Sequence, residues 1–264
     1  MTELNTSIEL RDKLELGRRR LTARFRASPR CSLGAREPLA AAGRVCNVIY
    51  HLVEGWACRF HRFSDGRRAI VDVYLPGDII GLDAISRTQS LEGVIALTSI
   101  MAERIEGEEP LADLMTCRSI ALYIGWLLGK RQRQTERHVA AISCLDARER
   151  VATMAIDFYT RLSRRGLITG SGYCLPLSQV HIAAYVGLTV AHVNRVLRSL
   201  RDEQIASLER HYLTILDLDR LKTLAQKGPQ PRPGFDQRVF NPADAVPKVS
   251  SPNNGGLPIG QAAA

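Results

Sequence analysis

The stretch from residue 177 to 205, LSQVHIAAYVGLTVAHVNRVLRSLRDEQI, most constrains what this chain can fold into. Its apolar spacing predicts two short helices, 178–185 and 190–201. Gly187 lies between them, where a residue without a Cβ atom can adopt the positive φ of a tight turn. The stretch therefore predicts a compact pair of helices rather than one long helix.

Two hydroxyl residues strengthen this prediction, because Ser178 and Thr189 can each accept a hydrogen bond from a free amide in the first turn of a helix. Ala183 is small where the helices would press closest. The predicted buried seam consists of Ile182, Val186, Leu188, Val193 and Val196. This spacing is typical of a DNA-binding helix-turn-helix, whose second helix enters the major groove. The alternative is an ordinary helical hairpin in an unrelated core.

The residues that follow favour the DNA-binding interpretation. Two short alternating runs, 205–208 and 212–216, flank the polar turn 209–211 and predict a β-hairpin, the wing of a winged helix. Asp217 or Asp219 can then cap a last helix.

Charge is distributed unevenly along this chain of 264 residues with net charge +9. Residues 147–227 contain 12 Lys or Arg and 7 Asp or Glu, whereas residues 38–117 contain 7 and 11. A basic C-terminal half joined to an acidic N-terminal half suits a nucleic-acid-binding unit attached to a unit with another role.

Composition argues against several other classes of protein. The longest apolar run, 120–129, is about half of what a bilayer requires, so we expect no membrane span. The 6 cysteines are scattered without a CxxC pair, which argues against a zinc site and fits reduced thiols in a cytoplasmic protein. No nucleophile–base set, paired acids or phosphate-binding glycine loop indicates an enzyme.

The rest of the chain is predicted to have four further parts. Residues 1–34 form a polar, arginine-rich segment with a short amphipathic helix at 8–21, interpreted mainly as a solvated face. Short strands separated by glycines follow within 35–117 and predict a β-roll, sandwich or barrel. Residues 118–146 predict a long helix, and 228–264 a disordered tail rich in proline.

The long helix is predicted to pair with its own copy as a coiled coil. Its apolar stripe begins with Ile120, Ile124, Leu127 and Leu128 and resumes with Val139, Ile142 and Leu145. The polar run KRQRQTERH between the two halves weakens this prediction. Asp146 can cap a new helix, 147–162, so the DNA-binding unit is predicted to span 147–227.

The order of these parts, with the motifs EGWACR, DGRR, LPGD and HVNR, resembles the Crp/Fnr family of bacterial transcription regulators over residues 35–226. The resemblance implies an α+β fold with an N-terminal β-roll (a jelly roll like that of cyclic-nucleotide-binding domains), a long dimerisation helix and a C-terminal winged helix-turn-helix. It also implies a homodimer on a palindromic DNA operator, with RNA polymerase as a further candidate partner.

The family's DNA-binding roles are carried over residue by residue. Ser178, Gln179, Thr189 and His192 match phosphate-contacting positions, and Arg195 matches the arginine that reads guanine. Val190 and Ala191 replace residues that other members use for base reading, so we expect a different operator. Asn194, Arg198 and His211 complete the predicted DNA-binding set.

The sensor end departs from the family pattern. Members that bind cyclic AMP use a Gly-Glu pair and a later arginine, but here Gly81 precedes Leu82, and 92–94 (Glu-Gly-Val) stand where the arginine is wanted. Cys31 alone cannot supply the ligands of an iron–sulfur cluster. His51 and His61 are weak candidates for haem ligands. We therefore predict no cofactor and an unidentified effector, or none.

Two hypotheses from different classes follow. The first is a sequence-specific, homodimeric DNA-binding regulator. The second is a ligand-sensing β-roll that acts through a protein partner, with the winged helix as its docking surface. Arg195 and the basic C-terminal half favour the first.

Overall fold

A computed structural model describes residues 2–40, 47–86, 92–168 and 170–225. The predicted tail, 228–264, lies outside these residues. The helices are α1 (Thr2–Arg26), α2 (Glu108–Thr116), α3 (Arg118–Cys144), α4 (Ala147–Ser163), α5 (Gln179–Val186), α6 (Val190–Asp202) and α7 (Leu218–Ala225). Strands and helices are mixed, and the α+β prediction is confirmed.

The N-terminal strands form two four-stranded sheets, in the orders β1-β8-β3-β6 and β2-β7-β4-β5. Their bounds are β1 (Arg30–Leu33), β2 (Pro38–Ala40), β3 (Val48–Glu54), β4 (Ala57–Arg62), β5 (Arg68–Tyr74), β6 (Ile79–Ile80), β7 (Glu92–Ala96) and β8 (Ile100–Glu106). Alternating side chains point inward, and Leu52, Ala57 and Ala102 are fully buried between the sheets. Gly66, at φ +84°, lies in the tight turn between β4 and β5.

The N-terminal helix is longer than the predicted helix at 8–21, and it is part of the folded core. Leu14, Leu21 and Phe25 of α1 are buried in one cluster with Ile120 and Ile124 of α3. The two helices also touch at Gly17, where an added Cβ atom would lie 2.0 Å from the carbonyl oxygen of Ser119. Only glycine fits this crossing.

This packing corrects the predicted seam of α3. Ile120, Ile124 and Leu145 are buried within the subunit, so their side chains are not available to a second copy. The residues that remain exposed on α3 at spacings of three and four residues are Gly125, Leu128, Gln132, Thr135 and Val139. The exposed stripe of α3 therefore consists of other residues than the apolar stripe predicted from the sequence.

The basic N-terminal run is largely neutralised within the fold. Arg18 and Arg19 both pair with Glu15, at 2.6 and 2.7 Å, and Arg24 pairs with Asp113 at 3.3 Å. These contacts agree with the interpretation of the run as a solvated, ion-paired face.

An ionic junction joins α4 to the turn that follows β5. Asp78 binds Arg161 (Oδ2–Nη2 3.0 Å) and Arg165 (Oδ1–Nη2 2.5 Å). The same guanidinium groups donate to the carbonyl oxygens of Val73 and Pro76. Burial alone would raise the pKa of Asp78, but Arg165 and Arg161 outweigh it and hold the pKa well below its ordinary value.

Apolar contacts reinforce this junction. The Trp56 ring meets the edge of the Phe158 ring at a centroid distance of 5.7 Å, and Phe158 also contacts Tyr185 of α5. Ile70 and Val73 of β5 belong to the same buried cluster. The helices at the C-terminal end therefore pack directly on the β-roll.

No single helix in the described ranges is long and apolar enough to cross a membrane, although two bent helix pairs, 108–144 and 179–202, pass that test by length and composition.

Candidate nucleic-acid interface

Helices α5 and α6 meet at a bend of 100°, and the predicted capping residues fix their ends. The Ser178 hydroxyl accepts from the His181 amide (3.2 Å), and the Thr189 hydroxyl accepts from the His192 amide (3.3 Å). Gly187 ends α5 in the left-handed region, at φ +68°. Local sequence therefore sets the angle between the two helices.

Replacing Gly187 by Ala is expected to lower the free energy of unfolding by about 1–2 kcal/mol, because a side chain is strained at this φ. The added Cβ atom would also come within 3.4 Å of Ile142 Cγ2. Denaturant unfolding measures the loss. Gly34→Ala is the matched control, since Gly34 has ordinary φ and its added Cβ would meet no atom nearer than 3.6 Å. Equal midpoints for the two variants would contradict the prediction.

The buried and the exposed residues of α6 lie on opposite faces of the helix. Val193, Val196 and Leu200 are buried, as predicted for the first two. Ala191, Arg195 and Arg198 are exposed on the opposite face, at spacings of four and three residues. Within the described part of the chain, Arg201 pairs with Asp202 (3.8 Å) while Arg195 and Arg198 take part in no ion pair.

The other predicted DNA-binding residues differ in exposure. Gln179, Thr189 and Val190 are exposed near the starts of α5 and α6, whereas Ser178, His192 and Asn194 are half-buried. The Asn194 Oδ1 atom is buried and has no hydrogen-bond partner among the described residues.

The wing is a three-stranded sheet rather than a hairpin alone. Strand β11 (Tyr212–Ile215) pairs with both β10 (Ala206–Glu209) and β9 (Gly172–Cys174). The sequence did not predict β9, whose three residues carry only a weak alternating signal. The wing turn is Arg210–His211, with both residues at positive φ (46° and 64°).

The wing turn lies beside the start of α5. The His211 carbonyl accepts from the Leu175 amide at 2.7 Å, three residues before Ser178. His211 and Gln179 are both exposed. The wing turn and the chain that leads into α5 are therefore neighbours in the structure.

Two β-roll arginines that sequence reasoning missed act electrostatically on α5. Burial lowers the pKa of His181 in α5, and positive charge on Arg36, Arg68 and His211 lowers it further. Arg36 and Arg68 are distant from α5 in sequence, and no local pattern marks them.

At the sensor end, Arg131 of α3 packs against the β-roll. It donates to the Ile79 carbonyl (2.8 Å), lies 3.7 Å from Asp72 and stacks over the Tyr74 ring at 5.1 Å. Burial raises the pKa of Asp72, against the opposing effect of Arg131. Residues 87–91, which precede the position assigned to the family's phosphate-binding arginine, lie outside the described residues.

The two histidines considered as haem ligands have other contacts. His51 Nδ1 lies 3.0 Å from Glu103 Oε2, and the His61 ring packs against Phe63. Among the residues that the structure describes, no group of three His, Cys, Asp or Glu could hold a metal ion.

Comparison with known proteins agrees with this geometry. Residues 30–113 match the cyclic nucleotide-binding domain family, and residues 149–224 match the Crp-like helix-turn-helix domain family. The anaerobic regulatory protein of Haemophilus influenzae is 28% identical over 69% of this chain and 71% of its own length. The fumarate and nitrate reduction regulatory protein of Vibrio cholerae is 27% identical over 72% and 75%.

Solved structures show the same fold. FixK2 from Bradyrhizobium japonicum superposes with a TM-score of 0.67 at 24% identity, covering 75% of this chain and 96% of its own. A CRP-family transcriptional regulator from Thermus thermophilus gives 0.61 at 22% identity, covering 74% and 96%.

Proposed function

The chain belongs to the Crp/Fnr family of transcription regulators, and from that premise we propose that it binds a palindromic operator as a homodimer and reads it chiefly through Arg195. The observation that carries the proposal is the exposed face of α6, where Arg195 and Arg198 have no carboxylate partner in the described chain. A free guanidinium can hold O6 and N7 of guanine.

The remaining predicted residues have positioning roles in this proposal. Gln179 and His211 are exposed near the start of α5, where they can contact operator phosphates. Val190 and Ala191 offer only apolar contact, which suits a thymine methyl group. Asn194 is half-buried, and its buried Oδ1 atom would have to turn outward to accept from a base donor.

The proposed dimer forms through the exposed stripe of α3. Leu128 and Val139 are 43% and 56% exposed, and with Gly125, Gln132 and Thr135 they repeat every three and four residues. This is the spacing of a coiled-coil seam. A palindrome reader needs two recognition helices about one DNA turn apart, and a second α3 would supply the second copy.

The proposal assigns a separate role to each of the three predicted parts of the chain. Residues 35–117 act as the sensor, 118–146 as the dimerisation helix and 147–227 as the DNA-binding unit, in the cytoplasm. The effector is neither cyclic AMP nor a cysteine-ligated cluster. Arg131 of α3, which packs against the β-roll, would then connect the sensor with the dimerisation helix.

Replacing Arg195 by Ala is expected to cost about 1–3 kcal/mol in operator affinity and much less on scrambled DNA, because base contacts specify whereas phosphate contacts only position. An operator selected from a random pool, and its scrambled copy, are titrated by fluorescence anisotropy at two salt concentrations. Gln179→Ala is the control, expected to weaken both DNAs alike. Ser178 and Thr189 are unsuitable, since they cap helices.

Equal losses for Arg195→Ala on both DNAs would reduce Arg195 to a phosphate contact and move base reading to His192 and Asn194. If no DNA from the pool binds the wild-type protein, the DNA-binding proposal fails, and the winged helix becomes a docking surface for a protein partner.

A further inference from the structure

The C-terminal half of α3 packs against the end of α5, the first helix of the helix-turn-helix. The His138 ring of α3 lies against the Tyr185 ring of α5, at a centroid distance of 4.4 Å and an interplanar angle of 35°. One turn further along α3, Ile142 Cγ2 would lie 3.4 Å from a Cβ atom added at Gly187. The predicted dimerisation helix therefore contacts the helix-turn-helix directly.

Tyr185 connects this contact with the buried core. Its side chain is 6% exposed, and its ring lies 5.7 Å from the ring of Phe158 in α4, which meets Trp56 of the β-roll at the same distance. His138 is half-buried and completes this row of four rings on the side of α3. An aromatic contact thus fixes α5 relative to α3, and His138 is the ring in the row that can gain a proton near neutral pH.

The surroundings of His138 suit a neutral ring. Burial lowers the pKa of His138, and the carboxylates of Asp72 in β5 and Asp157 in α4, together with the backbone of α5, oppose this effect only in part. Asp72 lies 3.7 Å from Arg131, and Asp157 lies 3.6 Å from Arg161. Both carboxylates therefore already have a counter-charge, and an imidazolium at this position would share it rather than have one of its own.

We propose that His138 is a positioning residue for DNA binding: the neutral ring holds α5 and α6 in the orientation that fits the operator, and protonation detaches it from Tyr185. The proposal rests on the DNA-binding function proposed above and adds control by acidity to it. Because the packed arrangement disfavours the charged ring, the contribution of His138 is complete above the ordinary histidine pKa of about 6.5. It is lost as the pH falls below that value.

The test measures operator affinity between about pH 7.5 and pH 5.5 for wild type, His138→Phe and His61→Phe, by fluorescence anisotropy at constant ionic strength. Phenylalanine keeps a ring against Tyr185 but cannot take up a proton. His61 is the matched control, because its ring also packs on an aromatic ring, that of Phe63 at 5.3 Å, but it lies on β4, outside the contact between α3 and α5. Hydrogen exchange of the α5 amides without DNA reports the packing of that helix.

At about pH 7.5 the three proteins are expected to bind alike. At pH 5.5 wild type and His61→Phe should bind up to about tenfold more weakly per subunit than His138→Phe, because one pH unit changes the balance between the two forms by at most tenfold. Their α5 amides should also exchange faster than those of His138→Phe. Protonation of His192 and His211 affects all three proteins equally, so the difference between the profiles isolates His138.

A role in packing alone would give His138→Phe the same pH profile as wild type, and that result overturns the inference. If none of the three proteins binds DNA at any pH, the DNA-binding proposal fails, and hydrogen exchange then decides on His138. Equal protection of α5 in wild type and His138→Phe at pH 5.5 overturns the inference, whereas faster exchange in wild type supports it.

Discussion

Replacing Leu128 and Val139 together by Asp is expected to yield monomers that bind a full operator on the order of 10²–10⁴ times more weakly than wild type. Both side chains are exposed in the subunit, so carboxylates there leave the monomer fold intact. In the proposed dimer the same carboxylates would face those of the second copy across the seam, and their like charges would repel. Light scattering gives the mass, and anisotropy titration gives the affinity.

The matched control is Met115→Asp/Leu167→Asp. These residues are 40% and 38% exposed but lie outside α3, so the same chemical change should leave the dimer and its affinity intact. A dimeric Leu128→Asp/Val139→Asp protein would place the seam elsewhere. The circular dichroism spectrum of both variants should match wild type, which separates dissociation from unfolding.

Replacing Asp78 by Asn is expected to lower the free energy of unfolding by about 3 kcal/mol at pH 7. The change removes the counter-charge of Arg165 and leaves Arg161 with its longer pair to Asp157 (3.6 Å). Arg161 and Arg165 are only 16% and 11% exposed. Asp78 itself is 22% exposed, so the expected loss of stability lies at the lower end of the range for breaking a buried ion pair. Urea unfolding measures it.

The contribution of Asp78 to the free energy of unfolding should decrease at low pH. Its pKa is depressed in the folded protein, so its contribution is complete above the unfolded value of about 4 and is lost as the pH falls toward the folded value. The stability difference between wild type and Asp78→Asn should therefore shrink below about pH 4. Asp65→Asn removes an exposed partner of Arg67 and should change nothing measurable. A constant difference from pH 7 to pH 3 would contradict this assignment.

The helix-turn-helix could be predicted closely because its signals are local. The predicted helices 178–185 and 190–201 correspond to α5 and α6 within one residue at each end. Ser178, Gly187 and Thr189 act through bonds to residues at most four positions away, so a single sequence contains all the information they need.

The sequence could not show which face of α3 is buried within the subunit, because α1, which covers it, is distant in the chain. Ile120 and Ile124 form an apolar stripe whether a second copy or α1 covers them, and the sequence does not distinguish the two. The contact at Gly17 decides the matter, and its partner Ser119 is about a hundred residues away. Helix α2 was missed for a different reason: its nine residues include a proline and too few periodic positions.

The buried and exposed faces of α6 could be predicted from its helical period. The electrostatic influence of Arg36 and Arg68 on α5 could not. For Arg68 it follows from the packing of β5 on α5, a tertiary contact between segments that the sequence suggested were separate units. Arg36 lies in a turn and Arg68 at the start of a strand, where exposed arginines are common.

The cluster that contains Trp56, Phe158 and Ile182 makes the two halves of the chain thermodynamically dependent on each other. A winged helix that shares its hydrophobic interior with a neighbour derives part of its stability from that neighbour. Heat would then melt both halves in one cooperative transition. A signal that loosens β5 would reach α5 as a change in local opening rather than as the swing of a rigid body on a hinge.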